Sequence, residues 1–132
     1  MELKRVVVTG LGAITPIGNN IKEYWKGLED GVSGSDWITR FNAEKFKTRF
    51  ACEVKNFDPL DHFERKEIKK FDRFSQFAMV SVDEAIIDSG IDLQQIDCDR
   101  VGVIWGSGIG GIQTFQEQIQ GFATGDGTPR FS

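Results

Sequence analysis

Apolar positions along this chain change period several times, and each change predicts an element. Val6-Val7-Val8-Thr9 is a short β-branched run closed by Gly10 and Gly12, the pattern of a strand covered on both faces. After Pro16 and Gly18, Asn19 or Asn20 can cap a helix with Ile21, Tyr24, Trp25 and Leu28 at helical spacing. Lys22, Glu23, Lys26 and Glu29 form its wet face and Gly31 its stop. Further on, Phe46, Thr48, Phe50, Cys52 and Val54 alternate with Lys47, Arg49, Ala51, Glu53 and Lys55, which predicts a half-exposed strand with Cys52 facing inward. Asp58-Pro59 breaks the chain, and Asp61 is the expected cap of a short basic helical stretch running through Lys70.

A longer helix is expected over residues 72–89. Its stripe of Phe74, Phe77, Ala78, Ser81, Val82 and Ala85 stands beside Met79, Val80, Ile86 and Ile87, so little of its surface is polar and burial nearly all round is predicted. Gly90 ends it. Residues 91–100 make a polar connector, and Val101-Gly102-Val103-Ile104-Trp105 forms a second apolar strand that runs into Gly106-Ser107-Gly108-Ile109-Gly110-Gly111. A last helix over 112–122 precedes a loop from Ala123 to Pro129. Strands alternating with helices predict an α/β fold with a parallel sheet covered on both faces. Two central-type strands are too few for such a sheet, so the pattern calls for more chain or a partner to complete it.

Composition narrows the class. A chain of 132 residues with 39% hydrophobic content suits one domain. A net charge of −4 argues against a nucleic-acid or general polyanion binder. Cys52 and Cys98 lie far apart with no CxxC spacing and no partnering His, so neither a metal site nor a disulfide is suggested and a reducing compartment is expected. The first residues lack a signal peptide's long apolar region, and no segment approaches the roughly 18–20 apolar residues of a membrane span. A soluble, cytoplasmic protein is the expectation.

Gly106 to Gly111 matches GxGxxG between a strand and a helix, where a pyrophosphate could meet a helix N-terminus. The fingerprint also needs a second strand about 20 residues on that ends in an acid. Asp126 instead lies in a Gly-rich loop, so glycines that allow close backbone packing are the simpler reading, and no cofactor is implied. The loop from Gly10 to Gly18 fits the fingerprint less well. Ser107 is in no GxSxG elbow and reads as a turn residue. His62, the single histidine, lies between Asp61 and Phe63 and reads as a surface or cap residue. The chain therefore offers no catalytic residue. Between Glu64 and Arg73, five bases (Arg65, Lys66, Lys69, Lys70, Arg73) face three acids (Glu64, Glu67, Asp72), and helical spacing gathers Lys66, Lys69 and Lys70 on one face. That face is either merely solvated or a docking patch for an acidic partner.

In order, Val6-Val7-Val8-Thr9-Gly10-Leu11-Gly12, Thr15-Pro16-Ile17-Gly18-Asn19, Trp25, Leu28, Gly31 and Ser33-Gly34 resemble the opening of the β-ketoacyl-acyl carrier protein synthases. Phe50-Ala51, Arg65-Lys66-Glu67, Asp72, Asp88-Ser89-Gly90, Arg100-Val101-Gly102 and Gly106 to Gly111 continue the match over the whole chain. The resemblance implies a thiolase-like layered fold (αβαβα) of which residues 1–132 are part of the N-terminal half. It also implies a homodimeric condensing enzyme of fatty-acid elongation, working on acyl and malonyl groups held by acyl carrier protein. Ile109 resembles the type II synthases, where type I bacterial enzymes tend to carry Gly, and by that likeness lines the acyl pocket. Lys66, Lys69 and Lys70 match positions that receive the acidic carrier protein. Arg130 resembles a second basic contact, although Phe131 stands where a Lys can occur. The family's decarboxylative Claisen condensation uses a Cys at a helix N-terminus, two histidines and an oxyanion hole, all placed later in the chain. The chain alone is therefore expected to be inactive. A non-catalytic docking module, or a subunit similar to a chain-length factor, is the alternative, and a nucleophilic Cys and two later His downstream would distinguish the enzyme from it.

Overall fold

The computed structural model describes residues 3–129. Four α-helices dominate it: α1 (Ile21–Glu29), α2 (Arg65–Ile68), α3 (Arg73–Ser89) and α4 (Ile112–Thr124). A two-stranded antiparallel ribbon, β1 (Ser35–Trp37) with β2 (Phe50–Cys52), pairs Asp36 with Ala51 and Trp37 with Phe50. Short 3-10 turns occupy Pro59–Asp61 and Cys98–Arg100.

Helix boundaries follow local chemistry. The Asn20 side chain accepts the Glu23 amide at 2.8 Å and starts α1; past its end Gly31 takes φ 65. Gly90, also at φ 65, closes α3. The short basic helix begins at Glu64 instead of Asp61, because Asp58 caps the 3-10 turn through the Leu60 amide (2.9 Å) and Asp61 falls inside that turn. Glu67 reaches back to the Glu64 amide at 3.3 Å. The last helix runs to Thr124, two residues beyond the expectation.

The sheet departs from the expected one. Neither Val6–Thr9 nor Val101–Trp105 joins a ladder among the described residues, and their side chains are open, Val6 at 87% and Ile104 at 100% exposure. A central strand exists only through neighbours that take up its N–H and C=O groups, and neither run has a ladder partner among the described residues. The alternating stretch contracts to Phe50–Cys52, where Ala51 is the half-buried residue and Cys52 is exposed, opposite to the predicted facing. Among the described residues β1 is its one ladder partner, so no second layer of strands fixes an inner face by alternation.

Instead of feeding a sheet, the N-terminal segment lies on α3. An added Cβ at Gly10 would fall 2.1 Å from the Ala85 carbonyl oxygen, and one at Gly12 would fall 1.9 Å from that of Ser81. Only glycine allows this backbone-on-helix approach. Acids of α3 complete it: Leu11 N–H donates to Asp88 (2.9 Å), and Glu84 accepts from Ala13 (2.9 Å) and from Ile21 (2.8 Å) at the start of α1. Hence α3 is not covered all round. Its buried residues are the polar Gln76 and Ser81, while Ile87 is 80% exposed. The described core centres on Phe57, edge-on to Phe77 at 5.0 Å and stacked on His62 at 5.2 Å.

Candidate functional site

Two regions gather the residues singled out from the sequence. The first surrounds α2. Arg65, Lys66 and Lys69 line a cleft of about 510 Å³ together with Pro59, Leu60, Ile68 and the single acid Asp58, whose carboxylate caps the Leu60 amide. Its shape follows from the Pro59–Asp61 turn, which presents Leu60 outward, half exposed, beside a helix too short to cover it. Lys66, Lys69 and Lys70 are all exposed, and none of them, nor Arg65, is in an ion pair among the described residues. The structure thus brings Lys66 and Lys69 together, leaves Lys70 off the cleft, and adds Arg65 and the apolar Leu60. Arg130 lies outside the described residues. Chemically this is a cationic rim around a small apolar seat, suited to an acidic surface carrying one apolar side chain.

The second region joins the later glycine loop to the start of α3. Ile109, largely exposed, shares a cleft of about 510 Å³ with Ile68, Phe71, Phe74 and Ile112. Asp72 organises the loop: its carboxylate accepts from the Thr114 hydroxyl in the first turn of α4 and lies against Gly111, where an added Cβ would come within 2.7 Å of it. Gly110 packs likewise on the Phe74 ring. Gln76, buried below, donates to the Phe71 and Ile68 carbonyls at 2.9 and 3.3 Å and fixes the bend between α2 and α3. A carboxylate at the α4 N-terminus opposes a nucleotide phosphate there, which weighs against the dinucleotide reading of Gly106 to Gly111.

Around the ribbon, Glu53 accepts from the Thr39 hydroxyl (2.6 Å) and backbone amide (3.2 Å), bonds that hold its carboxyl below the ordinary range. The Lys55 ammonium, 2.9 Å from Asp36, does the same for that residue. Arg73 lies over Phe57 and Phe77; its burial, then the charge of Arg40, lowers its pKa. His62 ends the Pro59–Asp61 turn and stacks on Phe57. Among the described residues, no group of three or more His, Cys, Asp or Glu could hold a metal, and no helix is long and apolar enough to cross a membrane. Glu84 and Arg40 escaped the sequence reading. The small residues Ser81, Ala85 and Ser89 at fourfold spacing on α3, opposite Gly10 and Gly12, were the signal for Glu84.

Comparison with known proteins bears on the family of the chain. The family described as Beta-ketoacyl synthase, N-terminal domain, matches residues 3–129. The chain is 48% identical over 118 residues to the 3-oxoacyl-[acyl-carrier-protein] synthase 2 of Synechocystis sp., covering 89% of this chain and 28% of the relative. It is 47% identical over 113 residues to the synthase 2 of Staphylococcus aureus (strain COL), covering 86% and 27%. It therefore spans little more than a quarter of the length of these relatives. Among solved structures, a type II PKS acyl-carrier protein in complex with its ketosynthase aligns at TM-score 0.72 and 27% identity, over 92% of this chain and 32% of that one. The ishigamide ketosynthase/chain length factor aligns at 0.67 and 31%, over 89% and 30%. The chain, a partial thiolase-like fold of helices and one small sheet, belongs to the beta-ketoacyl synthase family through its N-terminal domain.

Proposed function

We propose that residues 1–132 are the N-terminal part of a β-ketoacyl-acyl carrier protein synthase of the type II class. The full enzyme would be a cytoplasmic homodimer that elongates acyl chains by decarboxylative Claisen condensation with malonyl-carrier protein. The observation that carries this reading is the family match over residues 3–129, joined to relatives of that activity at 47–48% identity. Within the reading, Lys66 and Lys69, with Arg65, receive the acidic carrier protein, and Leu60 supplies an apolar seat. Lys70 and Arg130 add charge at the edge of that surface. Ile109 lines the acyl pocket, its β-branched side chain limiting how far a chain extends past Phe74. A single histidine cannot supply the two that the condensation uses, so the chain by itself binds carrier protein without turning it over.

Offering the chain acyl- and malonyl-carrier protein tests both halves. Retained carrier protein with no β-ketoacyl product is the expected outcome. Product formation would overturn the claim of inactivity, and absence of retention would overturn the docking assignment. The likeness to a ketosynthase/chain length factor favours a second reading, a non-catalytic subunit that keeps the docking surface. Absence of a nucleophilic Cys and two later His in the residues contiguous with this chain would select it.

A further inference from the structure

Asp72 forgoes the bond that its position normally makes. It is the N-cap of α3, where an aspartate oxygen ordinarily accepts a backbone amide of the first turn, yet its side chain makes no such bond. It turns instead to the later glycine loop. Its Oδ1 accepts from the Thr114 hydroxyl, 42 residues further on in α4, and the carboxylate lies against Gly111, where an added Cβ would meet it at 2.7 Å. The Asp72 backbone is held at the same time. Its carbonyl accepts the Gln76 amide at 3.0 Å, and the buried Gln76 side chain donates to the carbonyl of the preceding Phe71 at 2.9 Å. A cap that serves a distant element in place of its own helix gives up local stability for a tie between α3 and α4.

That tie holds the loop at one end only. Gly110 rests on the Phe74 ring, 3.0 Å from where its Cβ would stand, and Gly111 takes φ 65 as it opens α4. Gly106 and Gly108 have nothing within 4 Å of the same point. Ile109 stands between the clamped pair and the open pair, and it lines the cleft of about 510 Å³ together with Phe71, Phe74 and Asp72 itself. With a glycine on each side the backbone at Ile109 has wide conformational freedom, so the clamp at Gly111 is what limits where its side chain can go. We propose that Asp72 is a positioning residue: through Thr114 and Gly111 it sets where Ile109 stands in the cleft, and thereby the length of acyl chain that the cleft admits. The inference rests on the reading of Ile109 as acyl-pocket lining and goes beyond it by naming the group that holds Ile109 in place.

The test titrates S-hexanoyl-pantetheine and S-dodecanoyl-pantetheine separately into the 132-residue chain, followed by NMR, and reads the ratio of the two dissociation constants. A substitution that merely loosens the fold weakens both probes and leaves the ratio alone. Ile109→Gly should move the ratio toward the longer chain. Asp72→Ala should move it the same way by about fivefold, the equivalent of one lost hydrogen bond. Thr114→Val, which leaves the start of α3 untouched, should reproduce that shift, and Thr114→Ser, which keeps the hydroxyl, should retain the wild-type ratio. Because Asp72 acts through Ile109, the Asp72→Ala/Ile109→Gly double variant should go no further than Ile109→Gly alone. A ratio moved by Ile109→Gly but not by Asp72→Ala, or fully additive shifts in the double variant, would overturn the role of Asp72 and leave the pocket reading standing. A ratio unmoved by Ile109→Gly, or no binding of either probe, would overturn the pocket reading and this role with it.

Discussion

The two glycine loops look alike in sequence and differ in physics. Gly10 and Gly12 bring a backbone down onto α3, and the amides around them are claimed by Asp88 and Glu84. Gly106 and Gly108 have nothing within 4 Å of where a side chain would begin; only Gly110 and Gly111 at the loop's end rest on Phe74 and Asp72. One loop is a packing device whose donors are spent. The other is anchored at one end and open along the rest, beside the cleft that holds Ile109. A glycine-rich string therefore reports freedom of backbone and not, by itself, a ligand.

That contrast can be broken by substitution. Gly12→Ala should have the largest effect, since its Cβ would overlap the Ser81 carbonyl and lift the segment from α3, costing about 1–3 kcal/mol or more in thermal unfolding. Gly108→Ala, in open space, should stay within about 0.5 kcal/mol. Equal effects at both positions would erase the distinction. Glu84→Ala should cost about 2 kcal/mol, because it strands the Ala13 and Ile21 amides and unties the first loop from α1 together. Asp72→Ala, the counterpart at the second loop, should cost about 1 kcal/mol and show as faster amide exchange confined to residues 109–115.

A smaller effect sharpens the picture at the ribbon. The Thr39 donors hold the Glu53 carboxyl below its ordinary range, so its pKa is lower folded than unfolded. Its contribution to stability is complete above the unfolded carboxylate pKa and is lost as pH falls through the folded one. Thr39→Val should flatten the acid limb of a stability-against-pH profile by lowering stability slightly at neutral pH while leaving the acid end almost unchanged.

Much of the helical layout was legible, because caps and stops are local: Asn20, Gly31 and Gly90 each mark their ends through their own backbone or side chain. The sheet was not. Val6–Thr9 and Val101–Trp105 have strand composition, yet pairing depends on neighbours that no short pattern encodes, and in this chain the first of them lies before glycines that face a helix. Burial misled for the same reason, since the apolar helix α3 buries Gln76 and Ser81 while exposing Ile87. The basic patch was legible as charge. Its apolar floor was not, because Leu60 comes to it from a turn five residues before Arg65.

The central claim, that the rim around α2 is a docking surface for an acidic carrier protein, is tested most directly by titrating acyl carrier protein into the wild-type chain and the Lys66→Glu/Lys69→Glu double variant at low and raised salt. Lys22→Glu/Lys26→Glu on α1 serves as a charge-matched control. Binding that weakens with salt, is abolished by reversal at α2 and survives reversal at α1 is the predicted result. Equal loss in both variants, or binding indifferent to Lys66 and Lys69, would contradict it.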